Sequence, residues 1–130
     1  MTLQKVEAWV NRLPAIDRDL PIIVHGGKAW TPNEILNQIR SCPTCQTSQA
    51  LQAFIEARSF GQEANPWQLA KQRLIKMIQL APTIKHMLIL GRPTTITPEQ
   101  MLTEITLETP LGQSFIQAEM QRMHLLLQPP

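Results

Sequence analysis

Aromatic side chains are scarce in this chain of 130 residues, which has no Tyr, three Trp and three Phe. We therefore expect a core that is built mainly of aliphatic side chains. Charge is scarce as well, because only 17% of the residues are charged and the net charge is +2. No basic or acidic tail is visible, so charge alone does not indicate a partner. A hydrophobic content of 43% is ordinary for a globular domain and argues against intrinsic disorder.

Long apolar runs are also missing. The longest apolar region, 74–91, is interrupted by Lys, Pro and His residues, so it does not predict a membrane span. The first ten residues have the pattern of an amphipathic helix and not that of a secretory signal. We therefore expect a cytoplasmic protein that does not contact a membrane. In that compartment the two cysteines, Cys42 and Cys45, would be free thiols.

Helix starts are the clearest local signals in the sequence. Thr31, Pro32 and Glu34 form a capping box with Pro at the first helical position, and Thr97-Pro98 begins a similar segment. The connector Ala15 to Leu20 is rich in charge and is predicted to be solvated. Six helices are predicted, capped by Thr2, Thr31, either Thr47 or Ser48, Asn65, Thr97 and Thr109.

Two short segments favour extended structure. Ile22 to Val24 is a β-branched run, and the following Gly26-Gly27 supplies the positive φ angles that a two-residue hairpin turn needs. The second segment, Met87 to Leu90, is too short for periodicity to distinguish a strand from one more helical turn.

The second half of the chain repeats the pattern of the first. The Thr31 segment matches the Thr97 segment, and Phe54-Ile55 matches Phe115-Ile116. The predicted fold is mainly α, or α+β with short β-hairpins. It consists of two tandem helix–β-hairpin–helix–helix repeats, at about 1–61 and 65–128. Because a unit of about 60 residues buries little apolar surface, we expect both copies to share one core in a single pseudo-twofold domain, 1–130.

Features that occur in only one copy are the better functional candidates. At the first hairpin these are His25, Gly27, Lys28 and Trp30, which we take as candidate partner-binding residues. Free backbone N–H groups and a Lys beside a helix start could bind a phosphate or carboxylate. The alternative is an ordinary hairpin turn with a solvated Lys and a packed Trp.

The last helix carries an excess of apolar residues. Met120, Met123 and Leu126 are candidate contacts with another subunit, because this helix end is apolar on nearly every side. The alternative is that all these side chains are buried within one domain.

Cys42-x-x-Cys45 precedes a predicted helix, where a thiol pKa is lowered and a redox site is possible. The same pair could bind zinc with His25, His86 or His124, although no two His residues have zinc-finger spacing. A helix before the motif and too few strands argue against a thioredoxin-like fold.

Basic residues on one helix are candidates for nucleic-acid contacts. Lys71, Arg73 and Lys76 are predicted to lie near one another on the helix after Asn65, with Arg73 and Lys76 facing solvent. Helices 32–40 and 47–58 could form a helix-turn-helix pair. The small overall charge argues against this, since DNA-binding domains are usually distinctly basic.

No catalytic set is visible. No Ser occupies a nucleophile elbow, and the carboxylates lie mostly at helix starts, where the helix dipole explains them. We expect no catalytic residues and no cofactor. The sequence favours a non-catalytic protein–protein interaction or assembly module, whose partner is another protein or a second copy. The alternatives are a nucleic-acid-binding regulator and, third, a thiol redox or zinc-binding protein.

Overall fold

The computed structural model describes residues 2–80, 87–88 and 95–128, and this part of the chain is mainly helical. A short 3₁₀ helix, Ala15–Asp19, follows the first α-helix. Two antiparallel hairpins pair β1 (Ile23–His25) with β2 (Lys28–Trp30) and β3 (Met87–Leu88) with β4 (Thr95–Ile96). The six α-helices within these described residues are α1 Leu3–Arg12, α2 Pro32–Ser41, α3 Gln46–Glu56, α4 Pro66–Leu80, α5 Pro98–Thr106 and α6 Pro110–Leu126.

The predicted helix caps are confirmed where the sequence signal was strongest. The Thr31 hydroxyl accepts the N–H of Glu34 at 3.2 Å, and the Glu34 carboxylate accepts the N–H of Thr31 at 3.0 Å. Thr97 and Gln100 form the same reciprocal pair at the start of α5, at 3.1 and 3.0 Å. Each box satisfies two backbone donors that a helix start leaves without a partner.

The first hairpin has the predicted turn. Gly26 and Gly27 both have positive φ, 62° and 73°, which fits the twist of a two-residue hairpin. The loop after α3 runs beside β1, because the N–H of Val24 donates to the carbonyl of Phe60 at 2.8 Å. Gly61 allows this approach, since a Cβ there would lie 2.1 Å from the Val24 oxygen.

The core is largely aliphatic, as predicted, and it draws side chains from both ends of the chain into one cluster. Helix α4 packs against α5 and α6, and α1 packs against α2. The two ends meet where the indole N–H of Trp9 donates to the carbonyl of Leu126 at 2.8 Å. The first hairpin contacts α3 through β1, and Ile96 of β4 belongs to the same core.

Met87 and Leu88 form strand β3. For these two residues, the choice between a strand and one more helical turn is therefore settled as a strand. Residues 89–90 lie outside the described part of the chain, as do residues 91–93, where the sequence indicates a turn. Within the described ranges, no helix combines the length and the apolar character that crossing a membrane requires.

Two local predictions are wrong. The connector after α1 is not a solvated loop, because it forms the 3₁₀ helix and Asp17 within it is fully buried. Helix α3 begins at Gln46 with Cys45 as its N-cap, and neither Thr47 nor Ser48 caps it. The Ser48 hydroxyl instead donates to the carbonyl of Cys42 at 2.5 Å, which ties α3 to the end of α2.

Candidate binding site at the first hairpin

The turn between β1 and β2 holds a carboxylate of the same chain. The N–H of Gly26 donates to Glu63 Oε2 at 2.7 Å, and the N–H of Gly27 donates to Glu63 Oε1 at 3.0 Å. Both glycines have the positive φ of the hairpin turn, and in this turn conformation their N–H groups converge on one carboxylate. Such a pair of successive N–H groups is called a nest and is a known kind of anion site. We refer to these two donors as the nest.

The nest changes the acidity of its occupant. The N–H of Gly27, followed by that of Gly26, stabilises the charged carboxylate and holds the pKa of Glu63 below its ordinary value. The imidazole Nδ1 of His25 lies 4.0 Å from Glu63 Oε2 and acts in the same direction when it is protonated. The turn is therefore an electropositive site that is occupied from within.

Lys28 and Trp30 do not take part in the nest. The Lys28 ammonium lies 2.9 Å from Glu34 Oε2 and 4.3 Å from the centroid of the Trp30 ring. The indole N–H of Trp30 donates to the carbonyl of His25 at 3.1 Å, which fixes the ring against its own hairpin. The two donors to the carboxylate are thus backbone groups, and Lys28 is directed toward the start of α2.

A groove of about 260 Å³ lies between this hairpin and α4. Gly27 and Glu63 are among the residues that line it, so the nest borders the groove. The remaining walls combine apolar and amide side chains, namely Val24, Ala29, Leu69, Asn65, Gln68 and Gln72. We call this space the hairpin groove.

Two exposed amides in the hairpin groove are not engaged. The side chains of Gln68 and Gln72 make no hydrogen bond to the described part of the chain, whereas Asn65 Oδ1 caps α4 by accepting the N–H of Gln68 at 3.2 Å. Each free amide offers two donors and a carbonyl acceptor. The groove can therefore supply hydrogen bonds to a ligand without breaking existing ones.

The candidate thiols are joined in a disulfide. Cys42 ends α2, Cys45 caps α3, and their Sγ atoms are bonded to each other. The prediction of free thiols is therefore wrong for this structure, and neither sulfur is available to zinc in this state. Redox activity of the pair stays a prediction.

Of the described histidines, neither His25 nor His124 forms a metal-binding group with the cysteines. His25 lies on the hairpin, His124 packs against Phe60 with ring centroids 5.0 Å apart, and His86 lies outside the described residues. In ranges 2–80, 87–88 and 95–128, no group of three or more His, Cys, Asp or Glu side chains could hold a metal ion.

The predicted basic face of α4 does not exist as a surface. Arg73 was expected to face solvent, but it is 0% exposed. Lys71 is paired with Glu108 at 3.0 Å and donates to the carbonyl of Thr106 at 3.2 Å. Lys76 is partly exposed, so the three candidate residues do not present a continuous row of charge to phosphates.

Arg73 belongs instead to a buried network that joins distant parts of the chain. It donates to Asp17 at 2.6 Å, to the carbonyl of Pro21 at 2.8 Å and to Glu119 at 3.1 Å. Arg122 closes the network through hydrogen bonds to both carboxylates of Asp17 and Glu119. We call Asp17, Arg73, Glu119 and Arg122 the ionic cluster, and its two positive and two negative charges balance.

A signal for the ionic cluster was present in the sequence. Arg73 lies four residues after Leu69 and three after Ala70, both of which are buried, so helical spacing places it on the inward face. Glu119 has the same relation to Phe115 and Ile116 on α6. The charge of Arg73 favours exposure, whereas its spacing along the helix favours burial, and the structure follows the spacing.

The apolar end of α6 is buried within this chain. Met123 and Leu126 belong to the core, and Met120 is partly buried against it. The alternative interpretation of this helix end, burial within one domain, is therefore the correct one for Met123 and Leu126. Leu125, at 70% exposure, is a large apolar side chain of this end that is exposed.

The chain was compared with known families, proteins and solved structures. No protein-family model, no curated protein and no solved structure matches the chain. A function for this chain must therefore be argued from the chemistry of its own residues, and the hairpin groove with its nest is the most developed candidate.

Proposed function

We propose that the protein is a non-catalytic interaction module that binds a polypeptide partner in the hairpin groove. The observation that carries this proposal is the groove itself, which is lined by apolar side chains, unengaged amides and the carboxylate-binding nest. Its volume of about 260 Å³ lies below the range of about 300–1,000 Å³ of typical small-molecule pockets. That size suits a few side chains of a larger partner.

The walls of the groove are fixed before any partner arrives. The hairpin is held by the hydrogen bond from Val24 to Phe60, and α4 is held by Arg73 in the ionic cluster. Preorganised walls reduce the conformational entropy that binding would otherwise cost. This favours a recognition surface over a segment that folds only on its partner.

We also propose that the two halves are tandem copies in one domain with a pseudo-twofold axis. Each half has the order helix, hairpin, Thr-Pro helix, helix, and the capping boxes of α2 and α5 correspond. An experimental structure in which 3–56 and 66–126 superpose through a twofold rotation would support this, and an unrelated packing of the two halves would reject it. In this view the Gly-Gly nest is a specialisation of the first copy.

The binding proposal is tested by capture from a native lysate with groove-blocking and control variants. Gln68→Trp places a large ring in the groove from an exposed position, so it should leave the core intact. Gln117→Trp, at an exposed position on α6, is the matched control. We expect the wild type and Gln117→Trp to retain the same protein, and Gln68→Trp to lose it.

Two results would refute the proposal. Equal retention of partners by all three proteins would show that the hairpin groove is not the binding surface. Nucleic acid as the retained material, released steeply by salt, would favour the alternative function. Solution mass should be measured in parallel, because dimers that Gln68→Trp abolishes would identify the partner as a second copy of this chain.

A further inference from the structure

We propose that the nest is a receptor for an acidic side chain of the partner, and that Glu63 is an internal ligand which the partner displaces. This inference rests on the proposed function, in which the hairpin groove binds a polypeptide. It adds the chemical class that the groove selects, a carboxylate flanked by apolar residues. It also adds an internal competitor, the Glu63 carboxylate, which lowers the apparent affinity of the nest for the carboxylate of a partner.

The chemistry of the nest is selective for an anion with two oxygens. Each oxygen of Glu63 takes one N–H, at 2.7 Å from Gly26 and 3.0 Å from Gly27. Charge-assisted hydrogen bonds of this kind are stronger than neutral ones. A neutral amide has a single acceptor oxygen and no charge, so a Gln side chain would bind these two donors more weakly than a carboxylate.

The present occupant is replaceable. The Glu63 side chain is 48% exposed, so it is only partly enclosed by the fold. Its loop is anchored independently, through the hydrogen bond from Val24 to Phe60 and through the N–H of Gly61, which donates to Ser59 Oγ at 3.1 Å. Release of the carboxylate therefore leaves the loop in place.

The position of the nest connects it with the groove. Gly27 and Glu63 line the same space as Val24, Ala29 and Leu69, so an acidic residue in the nest would have its apolar neighbours over this floor. The occupant in the structure is a side-chain carboxylate, which is why we assign an acidic side chain and not a chain terminus. Lys28 is paired with Glu34, so discrimination comes from the backbone donors.

Competition by Glu63 makes the inference measurable. A group held on the same chain competes at a high effective concentration, and an external carboxylate must overcome it. Removing Glu63 should free the nest and raise the apparent affinity by roughly tenfold. Because Glu63 is exposed, the variant Glu63→Ala should fold normally.

The test is a titration of isotope-labelled protein followed through backbone amide resonances. The probes are the capped tripeptide acetyl-Leu-Glu-Leu-amide, its Gln counterpart, and a Gly tripeptide with a free carboxyl terminus. The proteins are the wild type, Glu63→Ala and the control Glu99→Ala, which removes an exposed charge far from the nest in sequence. We expect the Glu peptide to shift the Gly26 and Gly27 amide resonances. The dissociation constant from these shifts should be about tenfold lower for Glu63→Ala than for the wild type or the control.

Several outcomes would overturn the inference. No shift in Glu63→Ala, or equal affinity in all three proteins, would show that the nest does not receive external carboxylates. A response to the Gln peptide as strong as that to the Glu peptide would remove the carboxylate selectivity. A response to the free carboxyl terminus alone would reject the side-chain assignment. None of these depends on capture from a lysate, so failure here and failure of the groove proposal can be told apart.

Discussion

Replacing Arg73 with Met should destabilise the fold strongly. Arg73 is fully buried and makes hydrogen bonds to Asp17, to the carbonyl of Pro21 and to Glu119. Met keeps much of the length of the side chain and removes its charge. The variant would leave two carboxylates buried, with Arg122 as their remaining charged partner in the cluster.

The expected loss follows from the exposure of each partner. Breaking a buried pair by removing one member costs about 3–5 kcal/mol, because the other charge stays buried. Arg122 is 36% exposed and still contacts both carboxylates, so we place the loss near the lower end, at about 3 kcal/mol. That is a large part of a typical unfolding free energy of about 5–15 kcal/mol.

Two comparison variants test whether this loss of stability is specific to the buried charge of Arg73. Arg122→Met should cost less, about 1–2 kcal/mol, since Arg73 continues to pair both carboxylates. Lys76→Met is the matched control on the same helix, because no ion pair to Lys76 occurs among the described residues; it should stay within about 0.5 kcal/mol of the wild type.

The assay is urea unfolding followed by circular dichroism, with the free energy of unfolding taken from each transition. A triple variant, in which apolar residues replace Asp17, Arg73 and Glu119 together, should recover most of the loss, because the one cluster charge that remains, Arg122, is 36% exposed and can be hydrated. The reasoning is refuted if Arg73→Met lies within about 1 kcal/mol of the wild type, or if the triple variant is no more stable than the single one.

Two further predictions concern the nest and the disulfide. The lowered pKa of Glu63 means that its contribution to stability is complete above the ordinary carboxyl pKa and is lost as pH falls through the lowered value, so Glu63→Ala should show a shallower acid-side loss of stability. Superimposable acid limbs in the two proteins would contradict this. Replacing Cys42 and Cys45 together with Ser should lower the free energy of unfolding by up to about 2 kcal/mol, because a short closed loop removes little chain entropy. Unfolding with and without a dithiol reductant checks this, and a reductant effect that persists in the Ser variant would show another cause.

The starts of α2 and α5 were predictable because their causes are local. Thr31 and Thr97 each find their partner three residues along the chain, so the sequence contains the whole capping interaction. The Gly26-Gly27 turn is local in the same sense, since positive φ is a property of those two residues. Features of this kind need no knowledge of the rest of the fold.

The ionic cluster was missed because its partners are distant. Arg73 and Asp17 are 56 positions apart, and Arg122 and Asp17 are 105 apart. A single buried charge is rare, so composition favours exposure for any Arg or Asp taken alone. Burial of these charges becomes favourable only when all their partners are in place. Tertiary packing decides which of them meet, and a local sequence pattern does not show it.

The geometry of the candidate site was predictable in part. The sequence indicated that the turn after His25 presents N–H donors suited to a phosphate or carboxylate, and the structure places a carboxylate on them. The occupant could not be inferred, because Glu63 is 37 positions from Gly26 and carries no local signal. The hairpin groove also needs α4 beside the hairpin, and short-range patterns do not report that arrangement.

The ionic cluster also bears on the order in which the chain folds. Each of its charges is well solvated in the unfolded chain and gains little from losing water until its partners are in place. Those partners come from the 3₁₀ helix, α4 and α6, so the cluster can close only after both ends of the chain have met. Contacts that form late contribute little to the folding transition state and mainly slow unfolding. We therefore expect the ionic cluster to form late in folding and to act mainly by slowing the unfolding of the chain.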